Sequence, residues 1–181
     1  MTRDEALALM KKYIKNKNLQ KHCLAVEAIM RALSRRFGED EDLWGLAGLL
    51  HDLDYDETQK DMKRHGYRTI EILKDYNLPD ELLHAILAHP GHVERKTLMD
   101  KALYCADPVS GFIVAAALIH PEKKLEPLDT DFLMRRFKEK HFARGANREQ
   151  IKACEELGLN LEEFLSISLE AMKKISKDLG L

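Results

Sequence analysis

Six residues in this chain have the types and spacing to hold a metal ion: His22, the adjacent pair His51 and Asp52, His65, His89 and Asp107. Neutral imidazoles combined with carboxylates suit Mn, Fe, Ni, Zn or Mg and do not suit a soft thiolate site. An ion with open coordination positions binds water and lowers its pKa towards neutrality, ready for attack on a phosphate ester or anhydride. A His followed by an Asp is common by chance. Adjacent residues on a helix point about 100° apart, so both reach one ion only where the helix ends. The apolar run Leu46–Leu50 stops just before His51, and an acidic, aperiodic stretch follows. Asp107 lies in the apolar run Leu103-Tyr104-Cys105-Ala106-Asp107, where a buried carboxylate needs a cation or another partner. The bland alternatives are a capping histidine at position 51, helix-terminal surface histidines at 65 and 89, and a solvated Asp107.

Helices must position these groups. Thr2 with Glu5 reads as a capping box, and Thr97 with Asp100 begins a long helix that ends before Pro121. Asn18 is the expected cap of a second helix ending at Gly38. A third runs over 41–50, and its Gly45, Ala47 and Gly48 permit close approach of a neighbour. Each glycine there costs about 1 kcal/mol relative to alanine, so a packing reason is expected. The stretch 52–62 reads as a loop. Helical character returns at His65 and continues to 76. Pro79 opens a helix that ends near His89, before Pro90-Gly91. Asp129, Asn147 and Asn160 stand at later N-caps, and Gly158 at a C-cap. Pro108 removes a hydrogen bond from the long helix that carries Asp107, and the expected kink aims that carboxylate. Strand alternation is nearly absent. The expectation is one all-α domain over 1–181, with its core at about 18–120 and C-terminal helices at about 129–180.

Composition bounds the function. The chain has 181 residues, 45% hydrophobic and 33% charged, as in an ordinary globular protein. With 29 basic and 31 acidic residues the net charge is -2, so no nucleic-acid partner is expected. Three scattered cysteines fit a reducing, cytoplasmic setting and exclude a thiolate zinc site. The opening Met-Thr-Arg-Asp-Glu lacks the apolar core of a signal peptide. The apolar run 109–119 is too short to span a bilayer, so a buried core helix and no membrane partner are expected. The oligomeric state is open.

The order His22, His51-Asp52, Asp107, with Ala47-Gly48-Leu49-Leu50-His51-Asp52 at the helix end, resembles the HD superfamily of metal-dependent phosphohydrolases. The likeness covers about residues 18–120 and implies an HD-domain helical bundle. The tail, including Phe142-Ala143-Arg144-Gly145, is similar to that of small bacterial HD proteins. The resemblance implies that His22, His51, Asp52 and Asp107 hold one ion. Asp52 would bridge to a second ion held by His65 and His89, as in dinuclear members such as diadenosine tetraphosphate hydrolases and cyclic-dinucleotide phosphodiesterases. Two departures weigh against a dinucleotide substrate. Leu53-Asp54 replaces the Ile-Gly that follows His-Asp in a common variant, and the lysine after that pair in several dinuclear subfamilies is missing. The resulting expectation is a phosphohydrolase with one or two divalent ions, acting on a phosphomonoester, nucleotide or similar small phosphate. The alternatives are a phosphodiesterase or pyrophosphatase on a dinucleotide, and a non-catalytic metal-binding interaction module. Asp52, Asp54 and Glu57 are the candidates for acid and base work, against a solvated acidic loop. Arg64, Arg68 and Lys101 are candidates for phosphate contact, against an i,i+3 pair between Arg68 and Glu71. His84, His92, His120 and His141 read as surface residues.

Overall fold

A computed structural model describes residues 1–181 as α-helices joined by short turns, with no β-strand. Helix α1 (Arg3–Tyr13) begins at a reciprocal capping box between Thr2 and Glu5. Helix α2 (Lys17–Phe37) is capped by Asn16, whose side chain accepts from the Asn18 and Leu19 amides, and ends at Gly38 with φ +73°. The cap is thus two residues earlier than Asn18. The amide of Asn18 is itself one of the unpaired first-turn donors and needs an acceptor ahead of it. Helix α3 (Glu41–Leu50), capped by Asp40, packs closely on α2.

The small residues of α3 explain that packing. A Cβ added at Gly48 would lie 2.8 Å from the backbone N and Cα of Glu27 on α2, and one at Gly45 would meet the Arg31 side chain at 2.6 Å. Glu27 is buried and holds Arg3 at 2.6 Å and Arg31 at 3.0 Å, which ties α1 to α2. Gly48→Ala gains helix propensity but forces two backbones apart. We expect a net loss of about 1–2 kcal/mol, read as a lower Tm. Gly111→Ala is the matched control, because a Cβ there meets nothing within 4 Å.

The stretch after α3 is not a plain loop. It contains the single turn α4 (Tyr55–Thr58), and then α5 (Tyr67–Leu73) and α6 (Asp80–Ala88). Helix α5 starts two residues later than expected, because Gly66 with φ +84° turns the chain between His65 and Tyr67. Helix α7 (Leu98–Ile119) begins at the Thr97–Asp100 capping box and continues through Pro108. It is longer than the apolar run inside it, and by length and composition it could cross a membrane. Here it is the central helix, with Val109, Phe112, Ile113, Ala116 and Ala117 fully buried. It packs on α2, α3 and α6, and on the C-terminal helices α8 (Thr130–Phe137), α9 (Arg148–Lys152) and α10 (Leu161–Lys173). A 3-10 turn (Ala153–Leu157) follows α9, and α11 (Ser176–Leu179) closes the chain. Asp129, Asn147 and Asn160 cap α8, α9 and α10. One apolar core extends from Ala6 to Leu179.

Candidate metal centre

Four helices bring the ligand types together. His22 comes from α2, His51 and Asp52 from the end of α3, His89 from the end of α6, and Asp107 from α7. His65 stands just before Gly66. His51, Asp52, His65 and His89 are buried, whereas Asp107 keeps 29% of its side chain exposed.

Each imidazole is held through Nδ1. His51 Nδ1 donates to the Gly48 carbonyl at 2.8 Å, and His89 Nδ1 to the Ile86 carbonyl at 2.6 Å. His65 Nδ1 donates to Asp54 Oδ1 at 2.7 Å. The Ser110 hydroxyl gives its proton to the Asp107 carbonyl at 2.9 Å, so its oxygen accepts from His22 Nδ1 at 2.9 Å. Four Nδ1–H groups committed outward leave four Nε2 atoms facing inward. Such outer partners fix the tautomer and orientation of metal-ligating histidines.

The Nε2 atoms meet in pairs, His22 with His51 at 3.3 Å and His65 with His89 at 3.0 Å. Asp52 lies between the pairs. Its Oδ1 is 3.4 Å from His51 Nε2, 3.3 Å from His65 Nε2 and 3.7 Å from His89 Nε2, and its Oδ2 is 3.5 Å from His22 Nε2. Asp107 Oδ1 closes on His22 Nε2 at 3.2 Å and on His51 Nε2 at 3.9 Å. Two imidazole lone pairs at such separations repel unless a proton or a metal ion sits between them. Nitrogens bound to one ion at about 2.1 Å stand roughly 3.0–3.4 Å apart, so the donor set fits a metal. Two triads, His22–His51–Asp107 and His51–Asp52–His89, each gather their ligand atoms within 4.8 Å.

Protonation follows the same geometry. Burial lowers His51 to about 4, which keeps it neutral as a ligand must be. Burial also pushes His65 down, but its bonds to Asp52 and Asp54 outweigh that and raise it to about 10. Burial raises Asp52, but His51, His65, His89 and His22 together hold it well below the usual carboxylate range. Without metal, therefore, His65 carries a proton on Nε2 at neutral pH, and a cation must displace it. Loading of the His65–His89 pair should release about one proton and strengthen as pH rises from about 6 to 9. Calorimetry in buffers of different ionisation enthalpy checks this. An uptake independent of pH over that range would contradict it.

The HD domain family matches residues 19–124, the segment that carries all six ligand-type residues. This chain belongs to the HD domain family. That membership and the His and Asp cluster make it a metal-dependent hydrolase of divalent-metal type. The chain is similar to ribonuclease Y of a Nitratiruptor species, 35% identical over 89 residues, or 49% of this chain and 17% of the relative. Ribonuclease Y of a Sulfurovum species is 34% identical over 93 residues, 51% of this chain and 18% of the relative. Ribonuclease Y of Alkaliphilus metalliredigens is 28% identical over 165 residues, 90% of this chain and 35% of the relative. The chain therefore spans about a fifth to a third of these relatives' length. No solved structure matches it.

The HD-domain cluster opens into a cleft of about 550 Å³ walled by Leu19, Tyr55, Met62, Pro90, Tyr104 and Gln150. Asp54, Glu57, Arg64, Arg68 and Lys101, expected from the sequence to serve the site, do not line this cleft. Asp54 is fully buried, and its carboxylate accepts from His65, from the Gly66 amide at 2.7 Å and from the Thr69 amide at 3.0 Å. Burial raises its pKa, but those bonds outweigh it and keep the group anionic. It holds a ligand and has no route to move a proton at the cleft. Glu57 is half exposed and bonded to Arg68 at 3.0 Å, away from the cleft wall. Arg68 is engaged by Glu57 and Glu71, each at 3.0 Å, and Arg64 is exposed; neither lines the cleft. The turn at Gly66 is the cause, since the expected one-turn spacing from His65 assumed that the helix began there. Lys101 is off the cleft too. His92 is not a free surface residue: it donates to the His65 carbonyl at 2.8 Å. His84 pairs with Asp100 at 3.0 Å. Sequence reasoning missed Tyr55, Met62, Tyr104 and Gln150. Tyr104 lies one helical turn before Asp107 and was legible on that spacing, whereas nothing local marks Gln150.

Proposed function

We propose that this HD domain hydrolyses a phosphate ester, with a phosphomonoester, nucleotide or similar small phosphate as substrate. The observation that carries the reading is Asp52, within 3.3–3.7 Å of an Nε2 in each histidine pair. His22, His51, Asp52 and Asp107 would hold one divalent ion, and His65, His89 and Asp52 a second. Mn, Fe, Ni or Zn suits this donor set, with Mg less well matched to four imidazoles. When bound, such ions polarise phosphoryl oxygens and supply a nucleophilic water at neutral pH. Asp52 and Asp107 supply the negative charge that retains the ions. The four outward Nδ1 bonds keep the imidazoles fixed, so little reorganisation accompanies turnover. No Lys or Arg lines the cleft, so the ions themselves must meet the substrate's phosphate charge.

A second reading, hydrolysis of a phosphodiester such as RNA, is favoured by the likeness to ribonuclease Y over 90% of the chain. The balanced charge and the bare cleft wall favour the small substrate. A cytoplasmic setting without a membrane partner belongs to the same proposal. The test is metal content together with turnover of generic aryl phosphate monoesters and diesters and of a short RNA. Monoester turnover that needs metal supports the first reading, and turnover confined to diesters and RNA supports the second. Bound metal with no turnover of any of them overturns both in favour of a binding module.

A further inference from the structure

Tyr104 and Gln150 line the same cleft as the histidines, and neither belongs to the ligand set. Pro108 has no N–H, so the Tyr104 carbonyl one turn earlier in α7 lacks its usual helical donor. Gln150 Nε2 fills that vacancy at 3.2 Å from the third residue of α9. This bond uses one amide hydrogen. The second N–H and the side-chain oxygen remain as a donor and an acceptor. That is the pattern with which Asn and Gln side chains pair with a base edge.

A cation holds one face of the Tyr104 ring. The Arg95 guanidinium lies 3.8 Å from its centroid, and Arg95 is itself gripped by Glu156 through bonds of 3.1 and 2.6 Å. Arg148 stiffens the approach to Gln150. Its guanidinium donates to the carbonyls of Phe142 at 2.6 Å, and of Ala143 and Ala146 at 3.0 Å, holding the chain that leads into α9. A rigid aromatic ring beside a rigid amide, in a wall without cationic side chains, recognises a flat polar ring by stacking and hydrogen bonding. Tyr104 lies inside the segment that matches the HD domain, and Gln150 lies beyond it.

We propose that Tyr104 and Gln150 are specificity-determining residues that bind the nucleobase of a nucleotide substrate, while its phosphate lies at the His and Asp cluster. The proposal rests on the phosphate-ester reading for the position of the phosphate only. Its test is binding, so it does not depend on turnover. The probes are the 5′-methylenephosphonate analogues of adenosine monophosphate and of ribose 5-phosphate, titrated calorimetrically into metal-loaded protein. They share the phosphonate and the sugar and differ by the base.

Wild type should bind the adenosine probe roughly tenfold more tightly than the ribose probe. Gln150→Ala and Tyr104→Leu should each remove most of that preference by weakening the adenosine probe alone, while Tyr104→Phe should keep it. Circular dichroism and metal content confirm that each variant is folded and loaded. A purely structural role for Gln150 would weaken both probes equally, or neither. Equal affinity of wild type for the two probes, or variants that shift them in parallel, overturns the proposal. Base-dependent binding without hydrolysis of any phosphate ester would leave this subsite standing and remove the hydrolytic reading.

Discussion

Replacing Asp52 with Asn should strip metal from both histidine pairs and lower metal-dependent ester hydrolysis by about a thousandfold or more. Asp52 is the one carboxylate within 3.7 Å of an Nε2 on both sides of the centre, whereas Asp107 reaches only His22 and His51. The Asn variant keeps the size of the side chain and removes its charge, so the helix end at His51 has no steric reason to unfold. It also removes one of the two anions that raise His65, which should therefore lose its extra proton more readily. Elemental analysis gives metal per chain, and stopped assays on aryl phosphates give turnover. An Asn variant that retained wild-type metal and turnover would show that the centre does not depend on Asp52. His51→Gln is the companion substitution, and it should empty the His22 side first.

Asp54→Asn should weaken metal binding by about 10- to 100-fold while leaving turnover near wild type once metal is in excess. The structural cause is the bond from His65 Nδ1 at 2.7 Å, which turns His65 Nε2 towards Asp52 and His89. A carboxylate in that position makes the ring a better ligand, and an amide oxygen holds it less firmly. If Asp54 were instead a general acid or base, kcat would fall and excess metal would not restore it. The two roles therefore separate in a metal titration. Glu57→Gln makes the contrast, because Glu57 reaches only Arg68 and should alter turnover by less than about twofold. Asp54→Asn should also lower Tm, since the same carboxylate receives the Gly66 and Thr69 amides that start α5.

Much of this protein was legible from short stretches of chain. Thr2 with Glu5, Asp129, Thr97 with Asp100, Asn147 and Asn160 cap the helices they were expected to cap. Those signals act over three or four residues, through a side chain and a backbone amide that are neighbours in any fold. Gly45 and Gly48 announced a close helix crossing, because glycine inside a helix costs stability unless packing requires it. The partner helix came only with α2 in place.

The side-chain roles around the centre were less accessible. Asp54 looked like a solvated or catalytic acid beside its neighbours in sequence. It is buried because His65, eleven residues on, and the α5 amides fold back over it. Arg68 missed the cleft because one positive-φ glycine turned its helix away. Gln150 reaches the cleft because Pro108, forty-two residues earlier, leaves a carbonyl vacant. By itself, then, the sequence determined most of the helices and their caps, the ligand types and the family. The tertiary structure alone decided which polar groups face the centre, which hold its ligands from behind, and which neutralise each other on the surface. The physical reason is range: a cap is settled within one helical turn, whereas a side chain's partner depends on where the whole chain sends both of them.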